Sequence, residues 1–175
     1  MKVDLKLVDG KLLFPTTIIQ GGLAINNGKI VAVGKESALP ESNRTIDLKG
    51  KLLMPGVIDA HVHLSTSSKR NGEDITSGTA VASVGGVTFT GIMPQIEVLT
   101  KNRDTLQKNK ERCIGKSYID FNLLGGFSGG EGNDFSKDIP ELWEEGVIAI
   151  KGYMHNHRPH RKLKASYDGE MLWAL

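Results

Sequence analysis

From Pro55 onward the sequence alternates β-prone apolar runs with segments of helical spacing, and this alternation limits the possible folds more than any other feature. The expected strands are residues 57–63, 87–93, 118–124 and 147–151. The expected helices are residues 73–83, 100–114 and 138–145, with a further one beginning at residue 168. Strands and helices that alternate over short connections form a parallel sheet with right-handed crossovers. The sequence therefore predicts four βα units in tandem.

The first 53 residues follow a different pattern. Residues 3–7 alternate apolar and charged side chains, which is typical of a strand with one buried face. Asp9-Gly10 and Asn27-Gly28 are signals for hairpin turns. We therefore expect a small β-domain of sheet or sandwich type over residues 1–53, and a second domain over residues 54–175.

Local signals indicate where the elements of the second domain begin and end. Asn71 is an expected N-terminal cap of the first helix, and Pro140 is expected in the first turn of the third. The glycine-rich residues 125–130 predict a loop after the third strand. These signals predict short connections between strands and helices.

Composition excludes several classes of protein. The 22 Lys and Arg residues nearly balance the 20 Asp and Glu residues, so the net charge of +2 gives no sign of a nucleic-acid partner. The single Cys113 excludes an internal disulfide and fits a reducing compartment. No apolar run approaches the roughly 18 residues of a membrane span, and the charged N-terminus is not a signal peptide. We expect a cytoplasmic protein with no membrane partner.

Three side chains stand where expected strands end. His61 and His63 close the first strand, and residues two apart on a strand point to the same face. Two imidazoles on one face form half of a metal site, although a pair of satisfied core or surface histidines would show the same spacing. Lys151 closes the fourth strand, where burial of the charged form is costly and favours the free amine. The alternative is a lysine whose ammonium group reaches the solvent.

Several motifs together resemble one known family. The string Pro-Gly-Val-Ile-Asp-Ala-His-Val-His over residues 55–63 resembles the first barrel strand of the amidohydrolase superfamily, in the cyclic-amide branch of dihydroorotases, allantoinases and hydantoinases. Residues 146–154 are similar to the strand that carries the carbamylated lysine of that family. Residues 77–80 and 85–88 resemble its first helix and second strand, which ends in Met93-Pro94. The resemblance implies an α/β fold: the N-terminal half of a (β/α)8 TIM barrel, incomplete, preceded by a small β-sandwich-type segment.

The resemblance also implies a chemistry. Members of that family hydrolyse a cyclic amide, such as a hydantoin, allantoin or dihydroorotate-like ring, with a hydroxide activated by two metal ions. His61, His63 and Lys151, the lysine as a carbamate formed with carbon dioxide, would be metal ligands. Zinc is expected, with two ions in each complete active site. The general-base aspartate is expected beyond the C-terminus, so no catalytic residue is present and the chain alone is expected to be inactive.

Other residues are candidates for supporting roles. Gln95 and Tyr153 are candidates for substrate binding, and Asp59 is a candidate for orienting the two histidines, with stabilisation of a turn as the alternative. Dihydroorotases of the family carry an arginine after the histidine pair and an asparagine after Met-Pro. Residues 64–66 and Gln95 occupy those positions here, so the resemblance leaves the identity of the ring open.

Two further questions have alternatives that the sequence leaves open. The loop after Lys151 contains His155, His157 and His160 among basic residues, and it is either a substrate lid or extra metal site, or a solvated basic loop. The parent protein is either an enzyme, with a small cyclic amide as its substrate and a homo-oligomeric assembly, or a non-catalytic hydantoinase-like scaffold. The retained candidate ligands favour the enzyme, because a scaffold has no need of them.

Overall fold

The computed structural model describes residues 2–65, 73–94, 98–127 and 134–153 of the chain. Gln95, the histidine-rich loop after Lys151 and the helix expected from residue 168 lie outside the described residues. The chain divides into two compact units, Met1–Pro55 and Gly56–Leu175. The fold is mixed α/β with a β-rich N-terminal part, and no helix in the described ranges is long and apolar enough to cross a membrane.

The first unit is a five-stranded mixed sheet in its described part. Its strands are β1 (Val3–Leu13), β2 (Ile18–Asn26), β3 (Lys29–Gly34), β4 (Ser42–Asp47) and β5 (Leu52–Leu53), with a single 3-10 turn at Glu36–Ala38. The order is β3-β2-β1-β4, and β5 pairs with the far end of β1. Strand β2 runs antiparallel to both β1 and β3, whereas β4 and β5 run parallel to β1. The β-rich character expected of this segment is confirmed.

One of the two expected hairpin turns is present. Asn26 pairs with Lys29 across the β2–β3 turn. The intervening Asn27 and Gly28 have φ angles of 51° and 71°. A type I′ turn requires positive φ at both central residues, which Asn-Gly accommodates with little strain. The Asn27-Gly28 prediction is confirmed.

The hairpin expected at Asp9-Gly10 is wrong. Strand β1 continues through both residues, and its pairing with β2 shifts between Leu7 and Gly10. Asp9 has a φ of 49°, which marks a bulge in the strand. Its backbone N–H donates to a carboxylate oxygen of Glu36 at 2.5 Å. A side chain from the following segment therefore satisfies the backbone donor at the bulge, and the strand continues.

The second unit alternates strands and helices as expected. Its elements are β6 (Val57–Val62), α1 (Ile75–Val84), β7 (Val87–Ile92), α2 (Arg103–Cys113), β8 (Asp120–Leu123), β9 (Gly125–Phe127), α3 (Phe135–Glu144) and β10 (Ile150–Gly152). Strands β6, β7 and β8 pair in parallel in that order, and β9 pairs in parallel with β10. Parallel pairing of strands that are separated by helices confirms the first three of the predicted βα units, and of the fourth unit only the strand lies in the described residues.

Residues 125–127 form a strand, so the glycine-rich loop expected to begin there is wrong over these residues. The backbone N–H of Leu124 still donates to β7, whereas that of Gly125 donates to Ala149 beside β10. A Cβ atom on Gly125 would lie 2.5 Å from Cδ1 of Ile150. Glycine is therefore needed at position 125 for close packing. The stretch from β8 to β9 links the three-stranded β6-β7-β8 sheet to the two-stranded β9-β10 sheet.

Two helix starts differ from expectation. The N-cap of α1 is Asp74, not Asn71: its carboxylate accepts from the backbone N–H of Ser77 at 2.7 Å, and the Ser77 hydroxyl accepts from the Asp74 N–H at 3.2 Å. This reciprocal capping box satisfies two backbone donors and fixes the start of the helix. Helix α3 begins at Phe135, so Pro140 lies inside the helix and not in its first turn.

The core of the second unit lies between its strands and its helices. The buried side chains are Leu64, Ile75, Ile92, Leu106, Cys113, Leu123, Leu142 and Val147, with Val62, Phe121 and Ile150 packed against them. Strands β6, β7, β8 and β10 therefore each direct an apolar side chain toward this core. Residues next to these in a strand point to the opposite face. That opposite face is available for a site.

Candidate metal centre

The candidate ligands lie at the carboxyl ends of parallel strands. His61 and His63 are at the end of β6, and Lys151 is in the last strand, β10. Strand β7, which pairs with β6, ends just before Met93. Ligands of parallel α/β sheets are bound at the carboxyl ends of the strands. The carboxyl ends of the strands in these two parallel sheets are therefore the expected place for a site.

The two histidine rings lie side by side. Their centroids are 5.4 Å apart, the angle between the ring planes is 54°, and both residues are exposed. Zinc binds imidazole nitrogen at about 2.1 Å, and the nitrogen lies about 1.1 Å from its ring centroid, so tetrahedral ligation would place two centroids about 5.2 Å apart. The observed separation fits a pair of rings that share one metal ion.

Asp59 acts on the backbone that carries this pair. Its carboxylate accepts a hydrogen bond from the backbone N–H of His61 at 3.1 Å. The pairing of β6 with β7 is irregular between Asp59 and Val62. The carboxylate therefore accepts from a backbone amide at the irregular point of the strand. This contact corresponds to the turn-stabilising alternative for Asp59.

Lys151 faces away from the apolar core. Its neighbour Ile150 packs against the core, and Lys151 itself is half-buried. The Nζ atom lies 3.7 Å from Sδ of Met93 and 5.6 Å from the ring centroid of Tyr153. The Met93 backbone N–H donates to the carbonyl of Val62, between the two histidines, at 2.9 Å. Two direct contacts thus connect the histidine strand to the lysine through Met93.

Comparison with known proteins finds relatives among enzymes that share one kind of substrate name. No family model matches the chain. It is 28% identical to a dihydroorotase from Geobacter metallireducens over 87% of this chain and 37% of that protein. It is 30% identical to an allantoinase from Salmonella choleraesuis over 88% of this chain and 33% of that protein. The structure of an L-hydantoinase (dihydropyrimidinase) from Arthrobacter aurescens superposes with a TM-score of 0.80 at 28% identity, over 98% of this chain and 37% of that one.

By sequence and by structure the chain is similar to cyclic amidohydrolases, namely dihydroorotases, allantoinases and hydantoinases. It spans about a third of the length of the curated relatives it matches. This partial coverage fits an N-terminal part of the cyclic amidohydrolase fold, as the motifs indicated.

The structure shows contacts within two groups of the site residues predicted from the sequence: His61 with His63, and Lys151 with Tyr153. The structure brings Lys151 and Tyr153 together, and Tyr153 is only 3% exposed. In the ranges that the structure describes, no three His, Cys, Asp or Glu side chains gather as a metal-holding group. His61 and His63, with the Lys151 amine, are therefore the candidate donors at these strand ends.

Met93 is the residue at this site that sequence reasoning missed. From the sequence it is only the end of a structural motif, Met93-Pro94. The structure places it, 4% exposed, between the strand of the histidines and the lysine. The sequence shows only that Met93 closes the second expected strand; its burial and its contact with Lys151 are visible only in the structure.

Proposed function

We propose that this chain supplies His61, His63 and Lys151 to a metal centre that hydrolyses a ring amide, such as a hydantoin, allantoin or dihydroorotate-like ring. The observation that carries the proposal is the histidine pair, whose 5.4 Å ring separation suits one shared metal ion. The names of the relatives support a cyclic amide as the substrate.

The proposed roles follow from the chemistry of each side chain. His61 and His63 donate imidazole nitrogen, a ligand suited to zinc. Lys151, as a carbamate, would provide anionic oxygen as a ligand, and a complete site would hold two zinc ions. Metal held there supplies Lewis acidity to the amide carbonyl and acidity to a water molecule. Asp59 keeps the backbone of the histidine strand in place through its hydrogen bond to His61.

The arrangement of the strands supports a larger architecture. Strands β6, β7 and β8 are parallel neighbours, and β8 continues through Leu124 into β9, which pairs with β10. We assign residues 54–175 to the first four units of a (β/α)8 barrel and residues 1–53 to a small β-domain. In this proposal the remaining metal ligands and the general-base aspartate come from the rest of the barrel, in a cytoplasmic homo-oligomer.

Metal analysis of the chain tests the proposal. After zinc loading and gel filtration, H61A/H63A should retain less than about a tenth of the wild-type zinc, because the double variant removes both proposed imidazole ligands. The matched control is H155A/H157A, which removes two histidines from the basic loop and should retain the wild-type content. Equal zinc in H61A/H63A and the wild type would refute the proposed centre.

A further inference from the structure

We propose that Met93 is a positioning residue for Lys151. Its thioether sulfur accepts a hydrogen bond from the one N–H that the Lys151 nitrogen keeps after carbamate formation. This hydrogen bond fixes the direction in which the carbamate oxygens point. The inference rests on the proposed function, because it requires that Lys151 becomes a carbamate.

The contacts place a sulfur acceptor beside the reacting nitrogen. Met93 Sδ lies 3.7 Å from Lys151 Nζ across 58 positions of sequence. Met93 is 4% exposed, so few rotamers are open to its side chain. Its backbone N–H is bonded to Val62 at 2.9 Å. The sulfur is therefore held at a fixed position relative to the strand that carries His61 and His63.

The chemistry of the carbamate explains why an acceptor is useful. The lone pair of the neutral Lys151 amine forms an N–C bond with carbon dioxide, and one C=O π pair moves onto oxygen. The nitrogen then loses one proton to solvent, which leaves one N–H and a planar carboxylate. This N–H can only donate, and a thioether sulfur can only accept. When the N–H points at Met93, rotation about the Cε–Nζ bond is fixed, and with it the plane of the carbamate and the directions of its two oxygens.

A purely structural role for Met93 makes a different prediction. Leucine conserves most of the volume of methionine, and such exchanges usually cost little stability. M93L would then behave as the wild type in every respect. If the sulfur matters, M93L loses carbamate, whereas M93Q, with an amide oxygen that accepts a hydrogen bond, keeps it.

The experiment measures carbamate directly. The 175-residue chain is loaded with zinc and sub-saturating ¹³C-bicarbonate, and the carbamate carbonyl is quantified by NMR. K151A identifies the resonance, and M54L, at an exposed methionine, controls for the Met-to-Leu exchange. We expect occupancy to fall about two- to fourfold in M93L, as for loss of a weak hydrogen bond. M93Q and M54L should retain the wild-type occupancy.

The outcomes separate this inference from the proposed function. Wild-type occupancy in M93L, or an equal loss in M93L and M93Q, overturns the role of the sulfur and leaves the metal centre in place. Absence of any Lys151-dependent resonance in the wild type overturns the carbamate and the role of Met93 with it. Thermal unfolding of each variant is recorded in parallel, and the Gln variant keeps the test decisive if M93L is unstable.

Discussion

Replacing Asn109 with Ala should destabilise the second unit more than any surface change on the same helix. Asn109 lies on α2 with its side chain fully buried. Its Nδ2 donates to the carbonyl of Val98 at 3.0 Å and to Oγ1 of Thr100 at 2.8 Å. The backbone carbonyl of Thr100 in turn accepts a hydrogen bond from the backbone N–H of Gly126 in β9 at 2.8 Å. The asparagine therefore holds α2, the segment after β7 and β9 together.

The expected magnitude follows from these contacts. The two hydrogen bonds that Nδ2 donates are lost, worth about 1 kcal/mol each, and their acceptors stay buried with fewer donors, which adds about 1–2 kcal/mol. The third bond, which Oδ1 accepts from Nη1 of Arg112 at 3.3 Å, is longer and only partly buried, so its loss adds little. We expect N109A to lower the free energy of unfolding by about 3–4 kcal/mol. N109D, which has the same shape but presents a carboxylate to two acceptors, should be destabilised as well, and most strongly at neutral pH, where the carboxylate is charged.

Urea unfolding followed by the helical circular dichroism signal is the assay, because every α-helix in the described residues belongs to the second unit. The matched control is K108A, at an exposed position of the same helix, which should change stability by less than about 0.5 kcal/mol. If N109A and K108A unfold at the same urea concentration, the buried hydrogen bonds do not stabilise this region and the reasoning fails.

Two further predictions concern titratable groups. The N–H and hydroxyl of Ser77 hold the pKa of Asp74 below its ordinary value, so the carboxylate stabilises the fold above its unfolded-state pKa and loses this effect as the pH falls through the lower folded-state value. D74A should therefore unfold at lower urea than the wild type at pH 7, with a gap that narrows below about pH 4; a gap independent of pH would contradict this. Burial raises the pKa of Cys113 to about 11, so at pH 8 a disulfide reagent should modify this single thiol slowly in the native protein and rapidly in urea. Equal rates in the two conditions would show that the thiol is accessible.

Much of the second unit could be predicted from the sequence because strand and helix periodicities are local. The apolar runs at 57–63 and 87–93 became β6 and β7 with small changes at their ends. The bulge at Asp9 could not be predicted, since it depends on pairing with β2 and on the distant Glu36. Strand β9 could not be predicted either, because Gly125 is required there by the close approach of Ile150.

The candidate site was predictable only in part. The spacing of His61 and His63 places both rings on one face without knowledge of any partner. The contact of Met93 with Lys151 joins residues 58 positions apart, and no local pattern encodes it. The start of α1 at Asp74 also depended on a reciprocal contact with Ser77, which makes it a better cap than Asn71.

X-ray absorption spectroscopy of the zinc-loaded chain tests the central claim most directly, because it counts the imidazoles bound to the metal. The account predicts about two imidazole nitrogens for each zinc ion at about 2.0–2.1 Å, and loss of that signal in H61A/H63A but not in H155A/H157A. A zinc shell made of oxygen alone, or an imidazole signal that persists in H61A/H63A, would contradict the proposed metal centre.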